Sequence, residues 1–551
     1  MSARSTVSRS PAARLGVLAV GATVVFSCLA GCESAKSAPA AGEKEPPRAV
    51  AGKPLPTTEK QTVGMVPGAA LVEPPDLNEA TPEDQTVELT TVEKEVTISG
   101  KKVLAETYNG SLVGPTLHVV PGQHVTLKLT NKLRTSTNLH FHGLHLSPEG
   151  HADNIKLSVQ PGQTLTYDLD IPKDQPLGTY WYHDHDMCAK DSGASMPGMT
   201  MPAAPKKASC AGTESQVGAG LSGTIIVGDS RASLPSDYRR VTAHTLALKD
   251  AQISSTSSIV YPDGVLEPAS PTTRLVNGQY RPTLTMKAGE TQLWRLANVG
   301  YAIDYDLQLD GGTFTVVNQD GNPSATPTRV KHLLIPPGGR FDVLVTAGAP
   351  GSTWLRTLAY STGSDGDDYP DTTLMKVNVQ QGDGDAEPAA ADTPPGAATS
   401  PQLTGPLTGA LPDLSGETVA QSRSLVLSDD GGNNFYINGK LYDMKPTFDK
   451  PATLGTVEEW TLTNTANQNH PFHLHTVPFQ VLSVNGVPQP PADYRDEVIV
   501  PHSVNGKPGK VVIRMRFTDF TGQWMFHCHI TGHEDNGMMG SLNVVAAGEQ
   551  G

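Results

Sequence analysis

The chain has 551 residues, a formal net charge of −15, 54 glycines, 45 prolines and only 5% aromatic residues. That length accommodates several domains of ordinary size, and the acidic balance disfavours binding to nucleic-acid phosphates or to anionic headgroups. Turn residues at this density favour a β-rich chain over a helical one.

The amino-terminal segment reads as an address. Arg4, Arg9 and Arg14 precede an apolar stretch that begins at Leu15 and ends at Leu29, too short and too rich in small residues for a good membrane span. It closes on Leu29-Ala30-Gly31-Cys32, which resembles a bacterial lipobox. Residues 1–31 are therefore expected to leave as a lipoprotein signal peptide, and acyl chains on Cys32 to anchor the protein to a membrane. It would face the periplasm or the cell exterior, with a net charge of −18 once the three arginines are gone. No Arg-Arg pair supports twin-arginine export. Residues 32–84, initially rich in Ala, Pro, Lys and Glu, are expected to form a flexible tether.

Three repeated blocks follow. Asn109-Gly110 precedes Pro115-Thr116-Leu117, Asn277-Gly278 precedes Pro282-Thr283-Leu284, and Asn438-Gly439 precedes Pro446-Thr447-Phe448. The asparagines stand 168 and 161 positions apart. Asn-Gly beside alternating apolar residues is a hairpin signal, and strands are expected at 124–129, 291–296 and 457–462. Three copies of one β-unit at a domain-sized period predict three related β-sandwiches, at 85–232, 233–381 and 421–546. Residues 382–420, with Asp-Gly repeats and then Pro, Ala and Thr, read as a low-complexity linker.

The chemistry sits at the ends of the outer blocks. His-x-His on a strand places both imidazoles on one face, because side chains alternate. Four such pairs occur: His140/His142, His183/His185, His473/His475 and His527/His529. Eight imidazoles converging between the outer blocks would bind three copper ions. Cys528, between two histidines, points to the opposite face, where His470, His533 and Met538 complete a separate set. A thiolate with two imidazoles and a weak thioether suits blue copper, whereas structural zinc wants four ligands and has no use for twelve. A one-electron acceptor joined by Cys528 to a three-copper cluster suits four-electron reduction of dioxygen to water.

Comparing the block ends divides the labour. The first runs Gly178-Thr179-Tyr180-Trp181-Tyr182-His183-Asp184-His185, the third Gly522-Gln523-Trp524-Met525-Phe526-His527-Cys528-His529. Asp184 falls where Cys528 falls, and Leu221 where Met538 falls. At the corresponding place the second block runs Gly351-Ser352-Thr353-Trp354-Leu355-Arg356, a segment with no histidine. It is expected to be a spacer.

With these motifs the chain resembles, from about residue 85 to 546, a three-domain multicopper oxidase of the laccase-like group. The resemblance implies an all-β protein of three cupredoxin-like Greek-key sandwiches and four copper ions. It implies that His470, Cys528, His533 and Met538 hold type 1 copper, and His140 and His473 type 2. The type 3 pair would take His142, His183 and His529 on one ion, and His185, His475 and His527 on the other. Asp153 and Glu534 resemble the family's proton-relay acids beside the cluster. His145 and His151 match no ligand position.

An insertion at about 186–214 departs from that pattern and carries Met187, Cys188, Met196, Met199, Met201 and Cys210. Cys28 leaves with the signal, Cys32 is lipidated and Cys528 sits among ligands, so Cys188 and Cys210 are expected to pair. The thioethers either collect Cu(I) or only pack. Against a dedicated cuprous oxidase, Asn467-Gln468-Asn469 stands where metal-oxidising relatives carry Asp and Met, and their Met loop lies in the third domain. Dioxygen is the expected acceptor; phenols, aromatic amines and Cu(I) remain as donors. No obligate protein partner is evident. The competing readings are a copper-sequestering envelope protein without turnover and a structural relative that has lost copper. Eight surplus imidazoles argue against the first, intact ligand positions against the second.

Overall fold

The computed structural model describes residues 60–61, 68–98, 100–187, 210–260, 266, 271–382 and 400–549. The lipobox-like segment and Met196, Met199 and Met201 of the insertion lie outside them.

The described chain is all-β; its α-helices are two short pieces, Thr213–Ala219 and Thr531–Asp535. The strands follow from alternation: His124–Asn131 buries Val125, Leu127 and Leu129 and turns polar residues outward. Each sequence block lays its expected strand parallel to the block's first long strand. Gln85–Ile98 pairs with His124–Asn131, Thr242–Gln252 with Thr291–Asn298, and Val419–Asp429 with Val457–Asn464. Three apolar cores result, built around Leu127 and Tyr167, around Trp294 and Val343, and around Trp460 and Phe526. In the first block one four-stranded sheet carries the His140–His142 and Gly178–His183 strands at its edge. In the third, a five-stranded sheet pairs His470–Leu474 with Gly522–Cys528 in the same way, but Glu497–Val500 adds an edge strand beyond His470–Leu474.

All three Asn-Gly turns form, with left-handed φ at both residues: 50° and 80°, 53° and 74°, 53° and 70°. Each asparagine side chain also accepts a strand N–H, from Thr90, Ala247 and Val426 at 2.8, 2.8 and 2.9 Å. They are nevertheless not hairpins. After one bridging pair (Tyr108 with Ser111, Val276 with Gln279, Ile437 with Lys440) the chain crosses into the opposite sheet. Pro115, Pro282 and Pro446 lack the N–H that a continued ladder would need.

Two segments expected to be loose are packed. Within the tether, Leu71 N–H donates to Thr283 O and Leu77 N–H to Thr116 O, both at 2.8 Å. Exposed strand edges offer such partners to any passing backbone. Within the linker, Leu403 and Leu407 bury against Leu293 and Leu344, and Leu414 against Val457 and Tyr494. The Tyr494 hydroxyl donates to Pro412 O at 2.7 Å. A few leucines anchor the strap although its composition is otherwise that of a coil.

The outer blocks meet along the histidine strands. His145 is pinned there, with Nδ1 2.7 Å from Thr476 O and Nε2 2.6 Å from Asp519 Oδ1. It is a contact between the outer blocks.

Candidate metal centres

Register places the histidine pairs opposite one another. His140 faces His183 across one antiparallel ladder and His473 faces His527 across the other. All eight imidazoles are buried. Their nitrogens gather into the sets His140/His142/His473, His142/His183/His529 and His185/His475/His527. His475 Nε2 and His185 Nε2 lie 3.1 and 3.3 Å from His527 Nε2, and His142 Nδ1 lies 3.2 Å from His529 Nε2.

Fixed tautomers aim the lone pairs inward. His140 Nδ1 is 2.8 Å from Asp153 Oδ1, His183 Nδ1 is 2.8 Å from Asp184 O, and His473 Nδ1 is 2.8 Å from Asp496 O. Each oxygen takes the ring N–H, so the opposite nitrogen is the base. His140 Nε2, His183 Nε2 and His473 Nε2 accordingly have no hydrogen-bond partner although buried. Burial, then mutual repulsion, holds His142, His183, His473, His475 and His529 well below the ordinary histidine range. Burial likewise brings His185 down to about 4, against the pull of Glu534. Neutral rings with free lone pairs are what a divalent metal requires.

Asp153 and Glu534 each span two rings. Asp153 lies 2.8 Å from His140 Nδ1 and 3.7 Å from His475 Nδ1; Glu534 lies 3.0 Å from His527 Nδ1 and 3.3 Å from His185 Nδ1. Burial opposes their charge, yet the adjacent imidazoles hold both carboxyls well below the usual range.

On the other face of the Gly522–Cys528 strand, Cys528 Sγ lies 3.6 Å from both His470 Nδ1 and His533 Nδ1. Phe435 stacks on the His533 ring at 3.9 Å. Met538 is fully buried in the same core, and its backbone is tied to both neighbours: its N–H donates to His533 O at 2.9 Å and its carbonyl accepts from Cys528 N–H at 3.1 Å. Cys210 is disulfide-bonded, while Cys188 lies outside the described residues. Met187 packs beside Ile155, Met525 and Met539.

The spacer expectation for the second block needs correcting. It offers no histidine to the centres, but its Pro336–Arg340 turn reaches them. A Cβ on Gly338 would come within 3.1 Å of the His142 ring and 3.2 Å of His529. Arg340 from this turn, with Asp496 and Glu497 beside His473, were missed by sequence reasoning. Each is a single residue brought in by tertiary folding, and only the Asp-Glu pair downstream of His475 offered a signal.

Multicopper oxidase family models match residues 90–202, 236–380 and 414–548. A "Multicopper oxidase mco" of Staphylococcus aureus is 28% identical over 451 residues, covering 79% of this chain and 83% of the relative. A laccase of Bacillus subtilis is 26% identical over 509 residues, covering 79% and 89%. Among solved structures, a multicopper oxidase from Campylobacter jejuni described as a metallo-oxidase aligns with a TM-score of 0.69 at 24% identity. It covers 89% of this chain and 98% of its own. That likeness gives the sandwiches described above the cupredoxin fold.

Proposed function

The chain belongs to the multicopper oxidase family and is an oxidoreductase, and from that premise we propose that it passes single electrons from a small reducing substrate to dioxygen, which leaves as water. The observation that carries this reading is the division of one strand. Cys528 turns toward His470 and His533, while its neighbours His527 and His529 turn toward the other six imidazoles. When bound, copper would supply a one-electron acceptor at the first set and an oxygen-reducing cluster at the second.

The residues' parts follow from their places. His470, Cys528, His533 and Met538 would hold type 1 copper. His140 and His473 would hold type 2, and His142/His183/His529 with His185/His475/His527 the type 3 pair. Asp153 and Glu534, carboxylates against the cluster rings, would relay the protons that oxygen reduction consumes. Both rings of the type 1 set are buried, so the donor would pass electrons across intervening protein without itself becoming a ligand. Phenols, aromatic amines and Cu(I) are the donor classes. Export and anchoring through Cys32 belong to the same proposal, supported by the lipobox-like ending and by the disulfide-bonded Cys210, which suits an oxidising compartment.

The test is copper loading of the purified chain, followed by copper count, visible spectrum and oxygen uptake with a phenol and with Cu(I). Four ions, a blue band and uptake are expected. A colourless protein holding one or two ions would replace this reading with sequestration.

A further inference from the structure

Seven of the eight cluster imidazoles follow one pattern or lack an acceptor, and His142 breaks it. In His140, His183, His473 and His527, Nδ1 is hydrogen-bonded to an oxygen and Nε2 is turned inward, while His185 Nδ1 only approaches Glu534 Oε1, at 3.3 Å. His475 follows at longer range, through Asp153. His529 has no acceptor on its Nδ1. In His142 the roles are exchanged: Nε2 lies 3.1 Å from Asp496 Oδ1, and Nδ1 turns to His529. A reversed ring needs an acceptor on the far side of the cluster, which its own strand does not supply.

Asp496 is supplied by the third block and held by the second. Arg340 Nη1 and Nη2 donate to Asp496 Oδ1 and Oδ2, each at 2.6 Å, a two-pronged pairing that fixes the carboxylate plane. The guanidinium is itself set: Nη1 donates to Gly338 O at 2.9 Å and Nε to Thr179 O at 3.3 Å. Asp320 accepts the Arg340 N–H at 2.8 Å and the Asp496 N–H at 3.3 Å. Arg340, Asp320 and Asp496 are all buried. Gly143, next to His142, leaves the room: a Cβ there would stand 2.5 Å from both Arg340 Nη2 and Asp496 Oδ2. One guanidinium thus touches all three blocks beside a single ligand.

We propose that Arg340 of the second block is a positioning residue for the oxygen-reducing cluster, holding Asp496 as the acceptor that keeps the His142 N–H on Nε2 and its lone pair on Nδ1. This rests on the proposed copper chemistry, but it concerns a residue that binds no metal. Without the fork, Asp496 can rotate, and the imidazole can exchange tautomer and offer the wrong nitrogen.

The experiment compares copper-loaded wild type with Arg340→Lys, Arg340→Met and the double variant Arg340→Met/Asp496→Leu. Lysine keeps the charge and loses the fork. The double variant removes both buried partners, which unfolds a protein less readily than removing one. The readouts are melting temperature, blue absorption, the EPR-visible fraction of bound copper, and kcat and KM for the donor. Expected for Arg340→Lys is an unchanged blue band and donor KM, kcat lowered about 10–100-fold as for other partners of metal ligands, and a larger EPR-visible fraction as the coupled pair is disturbed. The folded double variant should show the same signature more strongly. If Arg340→Met fails to fold, the lysine and double variants decide. Folded variants with wild-type EPR and kcat overturn the proposal, as does loss of blue band and cluster signal in equal measure, which marks a merely structural residue. A wild type that binds no copper overturns instead the reading on which this one rests.

Discussion

The first and third blocks fold the same corner twice and fill it differently. Cys528 N–H donates to Met538 O at 3.1 Å, and Asp184 N–H to Leu221 O at 3.4 Å. Thr137 stands three residues before His140, as His470 stands before His473. Gln216 stands four before the left-handed Gly220, as His533 stands before Gly537. In place of a thiol between two imidazoles the first block has a carboxylate that accepts from Thr137 Oγ1 at 2.8 Å and Asn138 N–H at 3.0 Å. Where the third corner gathers a thiol and two imidazoles, the first is closed by hydrogen bonds, and both keep a flanking His-x-His pair. The backbone therefore does not tell the two corners apart; four side chains do, and under the proposed function they decide which corner takes electrons.

The largest expected effect erases that difference. Cys528→Asp gives the third corner the first one's residue and should abolish the blue band and donor oxidation while copper remains on the eight imidazoles. Visible spectra and an oxygen electrode check it, and a surviving blue band would break the comparison. Next is Glu534→Gln, which leaves the Cys528 set intact but weakens the hold on His185 and His527, 3.3 and 3.0 Å away. Oxygen turnover should fall about 10–100-fold with the blue band unchanged; equal loss of both would show that the two faces of the strand are not separable.

A smaller effect is expected in the first corner. Asp184→Ala strands the Thr137 hydroxyl and the Asn138 N–H in a dry interior, a cost of about 1–3 kcal/mol. The copper-free protein should unfold at lower urea while the loaded protein stays blue. An unchanged urea midpoint would mean that the carboxylate is not what closes the first corner.

The legible parts were those written locally. His-x-His on a strand fixes the face of both rings whatever the surrounding fold, so His140, His142, His183, His185 and the third-block set could be read from spacing. The Asn-Gly turns were legible for the same reason, because their backbone demand is met by two adjacent residues. Which sheet the chain enters after Gly110 or Gly278 was not, since that depends on the partner strand. Arg340 and Asp496 were hidden for a related reason. Separated by 156 positions, they meet only once all three blocks are folded. The strap around Leu403, Leu407 and Leu414 was masked by composition: windows rich in Pro and Gly average away the few side chains that bury.

The smallest expected effect concerns how the second block clasps the two corners. It holds the third through Tyr301 O, which accepts from Thr531 N–H at 3.0 Å at the start of the Thr531–Asp535 helix. It holds the first through Lys249, fully buried, whose ammonium donates to Val217 O at 2.6 Å in the Thr213–Ala219 helix. One clasp is indifferent to pH and the other is not. Burial brings Lys249 down to about 8, against the attraction of Asp250, whereas in the unfolded chain a lysine titrates near 10.4. Between those values the unfolded state binds more protons than the folded one, so stability rises with pH, by at most about 1.4 kcal/mol per unit from this group. Lys249→Met should remove that rise. Urea midpoints of the copper-free protein and the variant, measured from pH 7.5 to 10, should diverge as the wild type gains and the variant does not. Parallel curves would mean that Lys249 holds its proton as firmly folded as unfolded, and that neither clasp depends on pH.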